Sequence, residues 1–87
     1  MIVEFSERRS AYIRYLVGES PAGPTVEVGG EGSAVLVDVN AVGLTIGIEI
    51  VDVAVPENVR SAQRYAAEHG LPFPNDIVTA ARSVAAS

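Results

Sequence analysis

Residues 35–51 alternate between apolar and other side chains on both sides of a single turn, and this pattern constrains the chain more than anything else in it. Val35, Val37 and Val39 alternate with Leu36, Asp38 and Asn40; after a break, Leu44, Ile46, Ile48 and Ile50 alternate with Thr45, Gly47, Glu49 and Val51. A period of two is the signature of strands, and two such runs around a short polar break predict a β-hairpin, here spanning Ser33 to Val53. Directly opposed residues of an antiparallel pair share a face. Setting Val39 against Leu44 puts Val37 against Ile46 and Val35 against Ile48, so six apolar residues line one face. The loop is then Asn40-Ala41-Val42-Gly43, with Gly43 suited to a left-handed position. A slip of one residue would set Asp38 against an isoleucine.

The hairpin is read as the core of a single α+β domain, in which an antiparallel β-meander of about five short strands (residues 1–53) precedes a tail of two C-terminal α-helices (56–86). Met1–Phe5 reads as a strand, Ser6–Ser10 as a turn, Ala11–Val17 as a β-branched and aromatic strand, and Thr25–Val28 as a short strand. Gly18–Pro24 reads as a loop, and Gly29-Gly30-Glu31-Gly32 as a plain turn lacking the lysine and following helix of a phosphate loop. From Pro56 the period changes. Pro56 and Glu57 suit a first helical turn, Val59, Ala62, Ala66 and His69 fall on one face, and Gly70 followed by Pro72 ends the helix. Asn75 or Asp76 then caps a second helix with the stripe Ile77, Ala81, Val84 and Ala85. The helices are expected to cover part of the hairpin's second face (Leu36, Thr45, Gly47, Val51) or part of a partner's sheet.

Composition removes several function classes. The 87 residues include no cysteine and no lysine, and all six basic residues are arginines. Disulfides, thiolate metal sites, thiol nucleophiles and lysine Schiff bases are thereby excluded. The lone histidine, His69, leaves no base for Ser6, Ser10 or Ser20, so no catalytic residue is assigned and an enzyme is the least expected class. The net charge of −5 argues against direct nucleic-acid binding, which needs clustered positive charge; the best basic cluster is Arg8 and Arg9, beside Glu7. No apolar run approaches the length of a membrane span, and the N-terminus lacks a signal-peptide layout, so a cytoplasmic protein is the default. Arginine-only, Ala/Val/Gly-rich usage accords with a GC-rich bacterial genome. No cofactor and no metal is implied. A chain this short buries only roughly 60–65% of the surface its unfolded form exposes, so its stability alone is thin, which favours pairing with a second copy as a homodimer.

Asp38, Glu49 and Arg14 are the polar residues within otherwise apolar strands. Asp38 and Glu49 share a face on adjacent strands, an arrangement that suits a small-molecule or hard-cation site. The plainer expectation is that Arg14 pairs with one of them on the sheet's outer face. Gly47, in mid-strand, either admits a ligand or lies under an aromatic ring such as Tyr12. Asp52 reads as a solvated or capping residue. Arg60 and Arg64, one helical turn apart and within reach of Glu57 and Glu68, form a candidate partner-binding pair.

The elements Ser10-Ala11-Tyr12-Ile13-Arg14, Asp38-Val39-Asn40-Ala41-Val42-Gly43 and Gly47-Ile48-Glu49-Ile50 resemble the short bacterial family called domain of unknown function 2283 over roughly residues 1–53. Ser10 stands where that family usually has an aspartate, the turn is less acidic, and the helical tail extends beyond the family core. The resemblance implies a small β-rich fold and no particular activity. Some relatives are encoded beside small toxin-like proteins. Together with the acidic charge, this implies a non-enzymatic interaction module, antitoxin-like in the sense of neutralising a small basic toxin-like protein.

Overall fold

The computed structural model describes residues 1–6, 9–29 and 34–85, with only the backbone of Ala85. The readings on Glu7, Arg8, Gly30, Glu31, Gly32, Ser33 and the Ala85 side chain lie outside the described residues. Among the described residues five strands and two helices follow in order: β1 (Ile2–Phe5), β2 (Ala11–Arg14), β3 (Val26–Val28), β4 (Val35–Val39), β5 (Thr45–Ile50), α1 (Pro56–Glu68) and α2 (Asn75–Ala85). This is the α+β class read from the sequence. Spatially the sheet runs β1-β2-β5-β4-β3, antiparallel throughout. Sequential pairing holds within β1–β2 and within β3–β4–β5, and β5 returns to pair with β2 rather than completing one continuous meander. The hairpin strand β5 is therefore the centre of the sheet.

The hairpin's register differs from the expected one by two residues. Val35 opposes Ile50 and Val37 opposes Ile48, while Val39 opposes Thr45 across a β-bulge in which Ile46 is the extra residue. A two-residue slip keeps every side chain on its own face, so periodicity alone cannot detect it. The turn selects the register. Asn40 N–H donates to Leu44 O, Gly43 N–H donates to Asn40 O, and Asn40 Oδ1 accepts the N–H groups of Val42 and Leu44. The loop is thus Ala41-Val42-Gly43, one residue shorter than expected, with Gly43 at φ +86° in the left-handed position. The bulge also moves two side chains. Leu44 is exposed rather than part of the core, and Thr45 turns toward the helices, where its hydroxyl meets that of Tyr65 at 2.8 Å.

One face of the sheet is packed. Ala11, Ile13, Val35, Val37, Ile48 and Ile50, each at most 2 % exposed, meet Val53, Val59, Ala62, Ala66 and Ile77. Helix α1 lies across β3, β4 and β5, and α2 packs against α1. Val59, Ala62 and Ala66 are buried as their spacing predicts, whereas His69 is exposed and stacks on Tyr65. Helix α1 ends as expected. Gly70, at φ +66°, donates to Ala67 O, and Leu71 N–H reaches back to Ala66 O. Neither Asn75 nor Asp76 precedes α2 as a cap, because the helix begins at Asn75; the Pro74 carbonyl accepts the Ile77 N–H instead.

A polar clamp missed in the sequence joins the layers. Asn58, 2 % exposed, donates to Asp52 O and accepts the Ala34 N–H, tying the start of α1 to the start of β4. Asp52 does not cap α1, which starts at Pro56 after Val55; its Oδ1 accepts the Ala54 N–H in a local turn of the connector.

Candidate functional site

Both helices lie on one side of the sheet, so the alternate residues of the same strands form an open face. The pairings align Ile2, Arg14, Gly47 and Asp38 in one row and Glu4, Tyr12, Glu49, Leu36 and Glu27 in the next. Four carboxylates (Glu4, Glu27, Asp38, Glu49) accompany one guanidinium (Arg14). Side-chain charge is segregated along the whole chain. Residues 1–55 hold eight acidic residues and three arginines, while residues 56–87 hold three of each. The entire net charge therefore belongs to the sheet part.

Tyr12 organises this face. Its ring lies across Gly47, the aromatic cover anticipated for that glycine, and a methyl group at position 47 would sit inside the ring. The ring points the hydroxyl across β5 to β4, where it donates to Asp38 Oδ2 at 3.0 Å. Thr25 donates to the other oxygen, Asp38 Oδ1, at 2.7 Å. Desolvation, the Asp38 hydrogen bond and the surrounding carboxylates all favour the neutral phenol, and its pKa is pushed up to about 12. Burial alone does the same to Tyr15 on the opposite face, whose hydroxyl donates to Pro72 O at 2.8 Å.

The three residues singled out by the strand pattern share the open face. Asp38 opposes Gly47, whereas Glu49 opposes Leu36 on one side and Tyr12 on the other, so the two carboxylates are diagonal neighbours. Arg14 pairs with neither. Its guanidinium lies 5.0 Å from the centroid of the Tyr12 ring, a cation–π contact in place of the expected ion pair. Among the described residues the one ion pair within 4 Å is Arg60–Glu57, at 2.8 Å and solvent-exposed. Arg60 borders a groove of about 280 Å³ between the helices, with Val59, Val78, Ala81 and Arg82, whereas Arg64 borders a separate hollow with Glu27 and Glu68.

Chemically, Asp38 is occupied by two neutral hydroxyls, and Tyr12 is held protonated far above neutral pH. Among the described residues no group of three or more His, Cys, Asp or Glu side chains is disposed to hold a metal ion, and no helix is long and apolar enough to cross a membrane. Sequence reasoning found Asp38, Glu49, Arg14 and the Tyr12–Gly47 contact. It missed Thr25, which precedes the short edge strand β3 and carries no periodic signal. Comparison with known proteins finds no matching family model, no matching curated protein and no matching solved structure.

Proposed function

We propose that the protein is a non-enzymatic protein-interaction module that works as a homodimer and receives a basic segment of a partner protein on its open sheet face. The observation that carries this reading is the distribution of charge. The face away from the helices presents Glu4, Glu27, Asp38 and Glu49 against Arg14 alone, while the helical part is neutral. A single-sign face attracts an opposite partner, steers its approach and repels like-charged ones. The hydrogen bonds from Tyr12 and Thr25 hold Asp38 in one orientation, so part of the ordering cost of binding is met before the partner arrives. The Tyr12 phenol, pushed up to about 12, keeps its proton near neutral pH, which supports a binding role over a catalytic one. The resemblance to domain of unknown function 2283 motivates a narrower version, in which the partner is a small basic toxin-like protein that the module neutralises.

The test is a ¹⁵N-resolved NMR titration with an arginine-rich peptide. Amides of β2, β4 and β5 should shift, and the shifts should collapse with added salt. Shifts confined to α1 and α2, or no shifts, would overturn the reading. Co-purification with the product of the neighbouring gene tests the narrower version, which fails if the two proteins never co-elute.

A further inference from the structure

The two edges of the sheet differ. Strand β3 has three residues, is separated from Pro24 only by Thr25, is followed by Gly29 with φ +94°, and is flanked by α1. A short strand bounded by proline and covered by a helix is a blunted edge. Strand β1 has none of these protections. It has four residues, no proline and a single charge, Glu4, and Met1, Ile2 and Phe5 along it are all exposed. The helix layer does not extend over it to a comparable degree, since α1 lies on β3, β4 and β5.

Two hydrogen bonds fix which backbone groups of β1 face outward. Ser6 N–H donates to Ser10 O, which makes positions 6 and 10 a hydrogen-bonded pair. Alternation along an antiparallel ladder then makes Glu4–Tyr12 and Ile2–Arg14 hydrogen-bonded pairs as well. The other side of β2 agrees, because Tyr15 N–H donates to Ile46 O, so the odd-numbered residues of β2 bond to β5 and Tyr12 and Arg14 are left for β1. The N–H and C=O groups of Val3 and Phe5 therefore point off the edge.

We infer that β1 is the homodimer interface, pairing antiparallel with β1 of a second copy so that Val3 opposes its own counterpart. This deepens the homodimer part of the reading above and rests on it. Only same-face residues can oppose each other in a continuous sheet. Centring on Val3 sets Met1 against the partner copy's Phe5 on the helix side and Ile2 against its Glu4 on the open side, and every outward N–H and C=O of Val3 and Phe5 meets a partner. Centring two residues' worth of register further along would set Glu4 against Glu4, a like-charge contact; moving the other way shortens the ladder. The chosen register covers the exposed apolar side chains without juxtaposing charges. It also joins the two open faces into one acidic surface twice as wide, on the side away from the helices.

Sedimentation equilibrium of the full chain tests this. The expected mass is twice the 9.1 kDa of the chain. Val3→Pro should give the monomer mass, because it removes an outward N–H while leaving the β1–β2 ladder intact. Circular dichroism verifies its fold. Where Val3→Pro does not fold, a cysteine pair decides. Ile2→Cys/Glu4→Cys places the new thiols opposite one another in non-hydrogen-bonded positions, where a Cα separation of roughly 4.5 Å falls within the range a disulfide spans. It should form a covalent dimer on mild oxidation, while Val17→Cys, at an exposed site off the interface, should not. A dimer that survives Val3→Pro, or a cysteine pair that cross-links no better than Val17→Cys, overturns the β1 interface and leaves self-association standing. A monomeric wild type overturns both. Neither result touches the peptide titration, which tests the open face separately.

Discussion

The two faces of the sheet are built from alternate residues of the same strands, yet they solve burial in different ways. On the helix side, Ile13, Val35, Val37, Ile48 and Ile50 pack against α1 and α2 with almost no exposure. On the open side, Gly47 is also buried, but by one tyrosine ring that is itself half-exposed and is fastened by a hydrogen bond to Asp38. The packed face depends on volume and apolar area, so changes there act on the whole fold. The open face depends on a few directional contacts, so changes there act locally and leave the scaffold standing. Such a separation suits the proposed binding role, since a binding surface must be able to change without loss of the core.

The largest expected effect is on the packed face. Ile48 is fully buried in the central strand, and Ile48→Ala should cost about 2–5 kcal/mol, measured as a lowered urea midpoint with unchanged slope. Small domains have only about 5–15 kcal/mol in total, so this variant should approach the unfolding threshold. A loss as small as that of an exposed residue would break the contrast between the faces.

Gly47→Ala comes next. Its methyl group must displace the Tyr12 ring, and overpacking of this kind costs about 1–3 kcal/mol, reduced here because the ring can swing toward solvent. The discriminating readout is spectroscopic. Ultraviolet titration should show the phenol of Tyr12 moving down from about 12, because ejection from Gly47 removes both its burial and its bond to Asp38. An unchanged titration would show that the ring does not depend on the glycine.

Tyr12→Phe should cost less, about 0.5–1.5 kcal/mol for one hydrogen bond, and should leave the helix side undisturbed. It also sharpens the pH dependence. Tyr12 and Tyr15 both hold their protons more tightly folded than unfolded, with pKa values near 12 against the ordinary 10. Their stabilising contribution is full below pH 10 and is lost as pH rises from 10 to 12, where the unfolded chain has given up protons that the folded chain keeps. Stability should fall across that window in the wild type and fall less steeply in Tyr12→Phe. Identical slopes would remove Tyr12 from the account.

The fold was legible wherever a face repeats. Alternation identified β4 and β5, their buried face and the glycine that closes their turn, and the helical period with Gly70 identified α1. The exact pairing was not legible, because a two-residue slip leaves each residue on the same face and only the backbone bonds around Asn40 distinguish the two registers. The return of β5 to β2 was hidden for a related reason, since no local pattern specifies a non-sequential neighbour. At the site, Asp38, Glu49 and Arg14 stood out as polar residues in apolar strands. Their partners did not, because Arg14 finds an aromatic ring rather than a carboxylate, and Thr25 and Asn58 become significant only when distant segments meet.

The most direct test of the binding face compares two variants with the same change in net charge. Glu4→Gln/Glu27→Gln/Glu49→Gln neutralises three carboxylates of the open face, and Glu57→Gln/Glu68→Gln/Asp76→Asn neutralises three in the helices. At about 0.5 kcal/mol per exposed charge, the first should weaken calorimetric binding of an arginine-rich peptide about tenfold, and the second should leave it within about twofold of the wild type. Equal losses in the two variants would mean that overall charge, and not the open face, attracts the peptide, and would contradict the account.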